Sequence, residues 1–373
     1  MGGGGSAYGP GAPVPQYVPP STPYAAPMQY TQYSVPNYAG PASVGTGHGP
    51  QQPQIEWTPT GHARIAGGRK KALLIGINYK GQQGELRGCH ADVHNMKRFL
   101  TETYGFVESP QSMVVLLDDP QVHRGNAYLI PNKKSILSAM QWLVEGAQPG
   151  DSFFIHYSGH GGQQADKDGD EDDGSDETIY PLDHKSAGMI TDDEMNAILV
   201  NKLPAGARLT AVFDSCHSGT ALDLPFLYRP DGTLEKRAAK ADRVKKSAMN
   251  AAKMAMTGGK MGLMRGAMDL FKQVSQPDQS PQDQARVTRE KGSAGTVIMF
   301  SGCMDSQTSA DAHIQGKATG AMSFALLKVL GSRGGMSYAQ ILAATREILK
   351  KDYSQIPQLS SANQIDINSV FLL

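Results

Sequence analysis

A histidine and a cysteine each follow a short apolar run in this chain. Residues 154–162 read F-I-H-Y-S-G-H-G-G, and residues 211–219 read A-V-F-D-S-C-H-S-G. Both apolar runs have the composition of buried strands, and small residues follow each of them. His160 and Cys216 are therefore predicted on tight turns just past the ends of two strands. In an open parallel sheet, that edge is where sites form.

This pair of residues could carry out nucleophilic catalysis. A thiol is largely protonated near neutral pH, so Cys216 needs a nearby base, and His160 can serve as that base and as the later proton donor. The histidine comes first, and the separation is close to the about 50 residues found in caspases. The amides of Gly161 and Cys216 are predicted to form an oxyanion hole. A buried structural thiol with a turn histidine is the alternative interpretation.

Three segments resemble those of a known family. H-Y-S-G-H-G-G, D-S-C-H-S-G and R-G-C-H-A-D at residues 87–92 resemble the signature segments of type I metacaspases, especially the fungal ones. The resemblance runs from about Arg69 to Leu373, with a break expected near residues 229–292. It implies a self-processing cysteine endopeptidase zymogen. It also implies a role in stress response, programmed cell death or protein quality control.

The residues before the cysteine indicate which bond is cut. Caspases have Gln-Ala before the nucleophile, whereas this chain has Asp214 and Ser215. A carboxylate at that position disfavours an acidic P1 residue and would pair well with lysine or arginine. The resemblance implies an S1 pocket made of Cys89, Asp92, Ser158 and Asp214. Asp92 also fits a carboxylate at a helix N-terminus, and the two roles are compatible.

An acidic run at residues 166–177 invites a calcium-binding interpretation. Its acids partly match an EF-hand loop, but Glu171 stands where the loop needs glycine, so we reject that motif. The resemblance implies instead an activating, non-catalytic Ca²⁺ held by Asp176, Asp192, Asp193 and Asp223. A solvated acidic loop and a helix N-terminus near residue 192 are the alternative interpretation.

Composition divides the chain into regions. The first 55 residues contain no Asp, Glu, Lys or Arg and are rich in Gly, Pro, Gln and Tyr, so residues 1–68 are predicted to be a disordered prodomain. The rest is long enough for one large α/β domain. We assign residues 69–228 to a large catalytic region, 229–292 to a basic, Met-rich linker and 293–373 to a small region.

Apolar runs and helical periodicity alternate from Arg69 onward. Strands are predicted at residues 72–77, 112–117, 152–157, 208–213, 296–301 and 365–372. Helices are predicted at 91–103, 133–145, 191–200 and 321–330. The expected architecture is α/β, a mostly parallel six-stranded sheet flanked by helices, which the resemblance identifies as the caspase-hemoglobinase fold.

The linker is the expected place of autoprocessing, because a pocket for basic side chains would find its own substrates there. The sequence does not select one bond. The candidate P1 residues are Lys236, Arg237, Lys240, Lys245, Lys246, Arg286, Arg289 and Lys291.

Charge and cysteine content limit the partners. The 35 basic and 35 acidic residues balance, which does not favour nucleic acid. No apolar run is long enough to span a membrane, and a glycine tract that fits a myristoylation pattern lacks a second anchoring signal, so stable membrane anchoring is not expected. Three cysteines, an odd number, favour free thiols in the cytosol, with the nucleus as an alternative location. The resemblance implies a monomer.

Other functions are compatible with parts of the sequence. The Tyr- and Gln-rich tail could bind aggregates or chaperones, which would make the protein a scaffold acting independently of proteolysis. A peptide ligase would use the same Cys-His dyad. Asparaginyl specificity is disfavoured, because Asp92 and Asp214 would favour a cationic side chain over a neutral amide.

Overall fold

The structure of this 373-residue protein is a computed structural model. It describes residues 54–165, 175–215, 221–229, 232–236, 291–302, 311–314, 317–353 and 355–373. These residues all belong to one compact unit that runs from Gln52 to Leu373.

The described strands and helices alternate along most of the chain. The strands are β1 (Ile55–Trp57), β2 (Ala63–Ile65), β3 (Lys70–Gly76), β4 (Met113–Leu117), β5 (Ser152–Ser158), β6 (Gly161–Ala165), β7 (Ser175–Ile179), β8 (Ile190–Thr191), β9 (Arg208–Asp214), β10 (Phe226–Tyr228), β11 (Leu234–Lys236), β12 (Thr296–Ser301), β13 (Asp311–Ile314), β14 (Lys317–Gly320) and β15 (Gln358–Ser361). The helices are α1 (Cys89–Tyr104), α2 (Pro120–His123), α3 (Lys133–Val144), α4 (His184–Ala187), α5 (Asp192–Leu199), α6 (Ala321–Ser332) and α7 (Tyr338–Asp352), with a 3₁₀ turn at Ala127–Leu129.

One mixed sheet forms the centre of the molecule. Its strand order is β11-β10-β15-β12-β9-β5-β3-β4. The five strands from β12 to β4 pair in parallel, and the other three are antiparallel to their neighbours. The parallel strands are apolar on both faces, as a sheet covered on both sides requires.

Each face of the sheet carries its own hydrophobic core. In β3, Ala72 and Leu74 contribute to one core, while Leu73 and Ile75 contribute to the other, because side chains alternate along a strand. Helices α1, α6 and α7 pack on the first face, and α3 and α5 pack on the second. The result is a three-layer arrangement that holds the carboxyl ends of the parallel strands at one edge.

The helix starts agree with local capping chemistry. Asn132 accepts a hydrogen bond from the amide of Ser135 at the start of α3. Thr191 and Glu194 form a capping box at α5, and Ser337 and Gln340 form another at α7. Such caps satisfy amides that have no partner within the helix.

The predicted α/β architecture is confirmed, with changes at one edge of the sheet. The five predicted internal strands and all four predicted helices are present, but the described part of the chain forms a sheet of eight strands rather than six. The strand predicted at residues 365–372 is wrong, and the last strand is β15. Asp366 accepts hydrogen bonds from the amides of Asn368 and Ser369, and this turn interrupts the apolar alternation.

The segment before Arg69 also contains structure. Strands β1 and β2 form an antiparallel hairpin within residues 1–68, and Ala63 and Ile65 are buried. The hairpin therefore lies inside the region that composition assigned to the disordered prodomain. Among the described helices, none has the length and apolar character needed to cross a bilayer.

Candidate active site

His160 lies in the short turn between β5 and β6. Its Nε2 is 2.6 Å from the carbonyl oxygen of Gly84. Because a carbonyl can only accept, Nε2 carries the proton and Nδ1 is the basic nitrogen of the neutral ring. Gly84 has φ +82°, and a Cβ there would be 3.1 Å from Nε2, so both its conformation and this close approach favour glycine.

The strand register brings the two predicted dyad segments together. Ser158, the last residue of β5, pairs with Asp214, the last residue of β9, in a parallel ladder. His160 and Cys216 each follow two residues later in the sequence. Cys216 lies outside the described residues, so the structure gives no distance between its sulfur and the imidazole.

The predicted oxyanion residues are only partly described. Gly161 begins β6 and lies opposite Ile179 of β7. Its partner in the prediction, the amide of Cys216, lies outside the described residues. The oxyanion hole therefore stays a prediction.

The four predicted S1 residues are all buried, and three of them belong to one hydrogen-bonded cluster. The Oδ2 of Asp92 accepts from Ser158 Oγ and from the amide of Gly320, both at 2.8 Å. The Oδ2 of Asp214 accepts from the amide of Ser323 at 2.7 Å. Both carboxylates therefore face the amino terminus of α6. Asp92 also lies in the first turn of its own helix, α1, as the helix-terminus interpretation predicts.

Gly320 lies between the two carboxylates. A Cβ at this residue would be 2.2 Å from Asp214 Oδ2 and 2.9 Å from Asp92 Oδ2. Sequence reasoning missed Gly320 and Ser323, because they lie far along the chain in a stretch of small residues without a recognisable motif. The start of the apolar α6 pattern is the signal nearest to them.

The loop that carries Gly84 is anchored by Asp118, a residue that the sequence analysis did not single out. Asp118 Oδ1 accepts from the amide of Asn78 at 2.8 Å and contacts His90 Nε2 at 2.5 Å. Burial alone would raise the pKa of Asp118, but these hydrogen bonds and that of the Lys80 amide lower it overall. Asn78 Oδ1 in turn accepts from the amide of Cys89. Asp118 thus stabilises the segment between β3 and α1.

Three of the four predicted calcium ligands lie together. Carboxylate oxygens of Asp176, Asp192 and Asp193 lie within 4.8 Å of one another. Asp176 is 4% exposed, and its Oδ1 has no hydrogen-bond partner among the residues that the structure describes. A buried cluster of carboxylate oxygens with unused acceptor capacity fits a hard divalent cation such as Ca²⁺.

The fourth predicted ligand, Asp223, has a different partner. Its carboxylate forms an ion pair with Lys291 Nζ. The backbone of its loop is tied to α5, because Asn196 Nδ2 donates to the carbonyl oxygen of Leu222 at 2.8 Å. Asp223 therefore lies in a loop bound to the helix whose first turn carries Asp192 and Asp193.

The processing candidates are distributed between described and undescribed parts of the chain. Lys236 ends β11, and Lys291 is half-buried beside Asp223. The other candidates, Arg237, Lys240, Lys245, Lys246, Arg286 and Arg289, lie outside the described residues.

Comparison with known proteins assigns the family. A helix-flanked mixed sheet, with histidine and cysteine segments past the ends of adjacent parallel strands, defines a cysteine peptidase of the caspase-like fold. The family model "Metacaspase, peptidase C14 domain" matches residues 70–225. The chain is 42% identical to Metacaspase-1A of Aspergillus terreus, over 98% of this chain and 93% of that protein. It is 44% identical to Metacaspase-1 of Cryptococcus neoformans var. neoformans serotype D, over 94% and 74%. The chain belongs to the metacaspase family and is a cysteine endopeptidase.

A solved structure from Geobacter sulfurreducens is also similar. It is 25% identical in sequence and has a TM-score of 0.48, covering 81% of this chain and 97% of that one.

Proposed function

We propose that this metacaspase is a calcium-activated endopeptidase that cleaves after arginine or lysine, with Cys216 as nucleophile and His160 as general base. The observation that supports the dyad most directly is the parallel pairing of Ser158 with Asp214. His160 lies two residues after Ser158, and Cys216 lies two residues after Asp214. Neighbouring parallel strands deliver such residues to the same edge of the sheet.

The proposed reaction uses the neutral imidazole that the Gly84 contact defines. Nδ1 of His160 removes the proton from Cys216 Sγ, and the thiolate attacks the scissile carbonyl carbon. The C–N bond breaks as His160 gives that proton to the leaving amine, which leaves a thioester on Cys216. Water then loses a proton to His160 and attacks the thioester carbon, the C–S bond breaks to release the carboxylic acid, and the proton returns to Sγ. The Gly161 and Cys216 amides stabilise the oxyanions.

Asp92 and Asp214 support a basic P1 specificity. Both are buried carboxylates in the cluster that also contains Ser158. A guanidinium or ammonium group matches two carboxylates, whereas an acidic P1 side chain would meet like charge in a poorly solvated site. The nature of these side chains therefore favours arginine and lysine.

Asp176, Asp192 and Asp193, with Asp223, would hold the calcium ion. Bound Ca²⁺ would supply positive charge to the acidic cluster and restrain the loops that carry it, and it would take no part in the acyl transfer. Asp223 follows the Cys216 segment closely in sequence, so its restraint would act on the loop after the nucleophile. This is the proposed basis of calcium activation.

We further propose that the protein is made as a zymogen and cleaves itself within residues 229–292. The local surroundings of Lys291 argue against that residue as the cleaved site, because its ammonium is engaged by Asp223 in the folded chain. The remaining basic candidates of the linker stay open. The protein is proposed to act on protein substrates as a cytosolic monomer. A scaffold that binds aggregates or chaperones through the N-terminal tail, independently of proteolysis, is the alternative function.

Cleavage of fluorogenic peptides tests this function. Peptides ending in Arg, Lys, Asp or Asn are incubated with the full chain, with millimolar calcium or with a chelator, beside Cys216→Ala and His160→Ala variants. We expect calcium-dependent cleavage after Arg and Lys, lost in both variants. Cleavage after Asp would overturn the pocket assignment, and equal rates with chelator would overturn calcium activation. Aggregate binding retained by Cys216→Ala would identify the separate tail activity.

A further inference from the structure

Tyr79 occupies an unusual backbone conformation next to the histidine. Its φ is +52°, in the left-handed region that is costly for a residue with a large side chain. The side chain is only 1% exposed. A strained and buried tyrosine persists where its surroundings hold it in place, and here those surroundings include His160.

The hydroxyl of Tyr79 binds the main chain around His160. Tyr79 Oη accepts from the amide of His160 at 3.1 Å and donates to the carbonyl oxygen of Tyr180 at 2.6 Å. A second tyrosine contributes, since Tyr157 Oη donates to the carbonyl oxygen of His160 at 2.6 Å. Burial raises the pKa of Tyr79, so its hydroxyl keeps the proton that it donates.

The ring of Tyr79 also lies against the imidazole. The two ring centroids are 4.7 Å apart with an interplanar angle of 35°. The contact between His160 Nε2 and Gly84 fixes the rotation of the same ring. Together these contacts restrain both the plane of the imidazole and the direction of Nδ1.

We propose that Tyr79 is a positioning residue for the peptidase reaction: it holds the His160 main chain and ring and so fixes the direction of Nδ1. This inference rests on the proposed role of His160. It goes beyond that role because it assigns the orientation of the base to a residue that follows β3, the strand paired with β5.

Tyr79→Phe tests this inference, because it keeps the ring and removes the hydroxyl. Tyr104→Phe is the matched control, since Tyr104 is equally buried but packs in the core on the α1 side of the sheet. We expect kcat to fall by about tenfold in Tyr79→Phe with KM nearly unchanged, and both constants to stay near wild type in Tyr104→Phe. The pH profile of thiol alkylation should also change only in Tyr79→Phe.

Unchanged kcat and an unchanged alkylation profile in folded Tyr79→Phe would overturn the inference. If that variant does not fold, Tyr157→Phe, which removes the other tyrosine bond to the His160 main chain, should lower kcat in the same way. Full activity in Tyr157→Phe would then count against it. Activity retained by His160→Ala would instead overturn the proposed dyad, so the two failures are distinguishable.

A second, independent observation concerns Lys291, which lies near the end of the linker and is the first described residue after position 236. Its Nζ pairs with Asp223 Oδ2, and the two side chains are 16% and 8% exposed. Ion pairs this shielded from solvent are hard to break without a replacement charge. Asp223 itself has φ +47°, so the loop holds it in a restricted conformation.

The chain after Lys291 is firmly anchored, which keeps the ammonium near this carboxylate. The amide of Gly295 donates to the carbonyl oxygen of Leu203 at 3.0 Å. Asn363 Nδ2 donates to the carbonyl oxygens of Ser293 and Gly295. These hydrogen bonds fix the backbone between Lys291 and the start of β12.

We infer that Lys291 is an internal cation that competes with Ca²⁺ for Asp223. An ammonium and a calcium ion both require carboxylate oxygens, and Asp223 Oδ2 contacts the ammonium in this structure. Lys291 and Ca²⁺ therefore compete for the negative charge of the Asp223 carboxylate. The inference rests on the proposed calcium site. It states that Lys291 lowers the affinity of that site for Ca²⁺.

Calcium titration by calorimetry, in the Cys216→Ala full chain that cannot process itself, tests this competition. Lys291→Met should lower the Kd for Ca²⁺ by about tenfold, because the competing cation is gone. Lys133→Met is the matched control. Lys133 pairs with Glu194, which is next to Asp193, so this substitution removes a nearby positive charge without freeing a predicted calcium ligand. Its effect should be within about twofold.

The outcomes separate competition from general electrostatics and from failure of the site. Equal tightening in Lys133→Met and Lys291→Met, or no tightening in Lys291→Met, would overturn the competition. Tightening that persists when Asp223→Asn is added to Lys291→Met would overturn it as well. Calcium binding unaffected by Asp176→Asn would overturn the proposed calcium site itself.

Discussion

At the scale of single residues, His156 shows how burial controls a titratable side chain close to the site. It lies within β5, four residues before His160, and is fully buried. Its Nε2 is 2.9 Å from Ser323 Oγ, and burial lowers its pKa to about 3. The ring is therefore neutral at physiological pH and joins β5 to the first turn of α6.

The depressed pKa of His156 predicts acid sensitivity. The unfolded chain binds a proton near pH 6.5 that the folded chain does not bind until about pH 3, so stability is lost as the pH falls through this window. Between pH 7 and pH 5, wild type should lose about 2 kcal/mol more unfolding free energy than His156→Gln. Urea denaturation at the two pH values measures this, and parallel losses in both proteins would contradict it.

At the scale of secondary structure elements, the amino terminus of α6 is the element that organises the acidic cluster. Backbone amides at Gly320 and Ser323 donate to Asp92 and Asp214, which come from α1 and β9. The positive end of the helix thus offsets the charge of two buried carboxylates. Movement of this helix end would alter the proposed S1 pocket without changing any acidic residue.

Gly320→Ala should impair the pocket. The new Cβ would overlap the Asp214 carboxylate, so the start of α6 or the carboxylate must move. We expect kcat/KM for Arg and Lys peptides to fall at least about tenfold.

Gly331→Ala is the control in the same helix, because a Cβ there meets open space. It should leave kcat/KM unchanged and stabilise the fold by up to about 1 kcal/mol. Normal kinetics in Gly320→Ala would show that α6 does not shape the pocket.

At the scale of the whole molecule, residues near the end of the chain join several elements. Phe371 is buried, and its ring packs edge-on against Tyr104 of α1, Phe300 of β12 and Tyr338 of α7. The amide of Phe371 also donates to the carbonyl oxygen of Met336. This residue therefore connects the sheet to two of the three helices that pack on one of its faces.

Phe371→Ala should destabilise the whole fold by about 3–5 kcal/mol, because it leaves a cavity among these rings. Val107→Ala, which truncates an exposed apolar side chain, should cost less than about 0.5 kcal/mol. The midpoints of chemical denaturation in both variants measure the difference. Similar midpoints would show that the Phe371 site collapses without loss.

The parallel strands and their helices are predictable because local patterns of apolar residues indicate which of their side chains are buried. Strand β15 is not, since it reads Q-L-S-S and is buried by its neighbours rather than by its own composition. The dyad segments and the acidic residues are likewise visible as motifs. Contacts such as Asp92 with Gly320, separated by 228 residues, depend on tertiary packing and leave no local pattern. The same holds for Lys291 with Asp223.

The strand order has a consequence for the protein if the proposed self-cleavage takes place. Strands β15 and β12, which follow the linker, are inserted between β9 and β10, which precede it. The part of the chain that contains β12 and β15 cannot dissociate without breaking its backbone hydrogen bonds to both β9 and β10. Two polypeptides ending and starting within the linker should thus remain interlocked as a heterodimer. When expressed separately, they would have to fold together to complement each other.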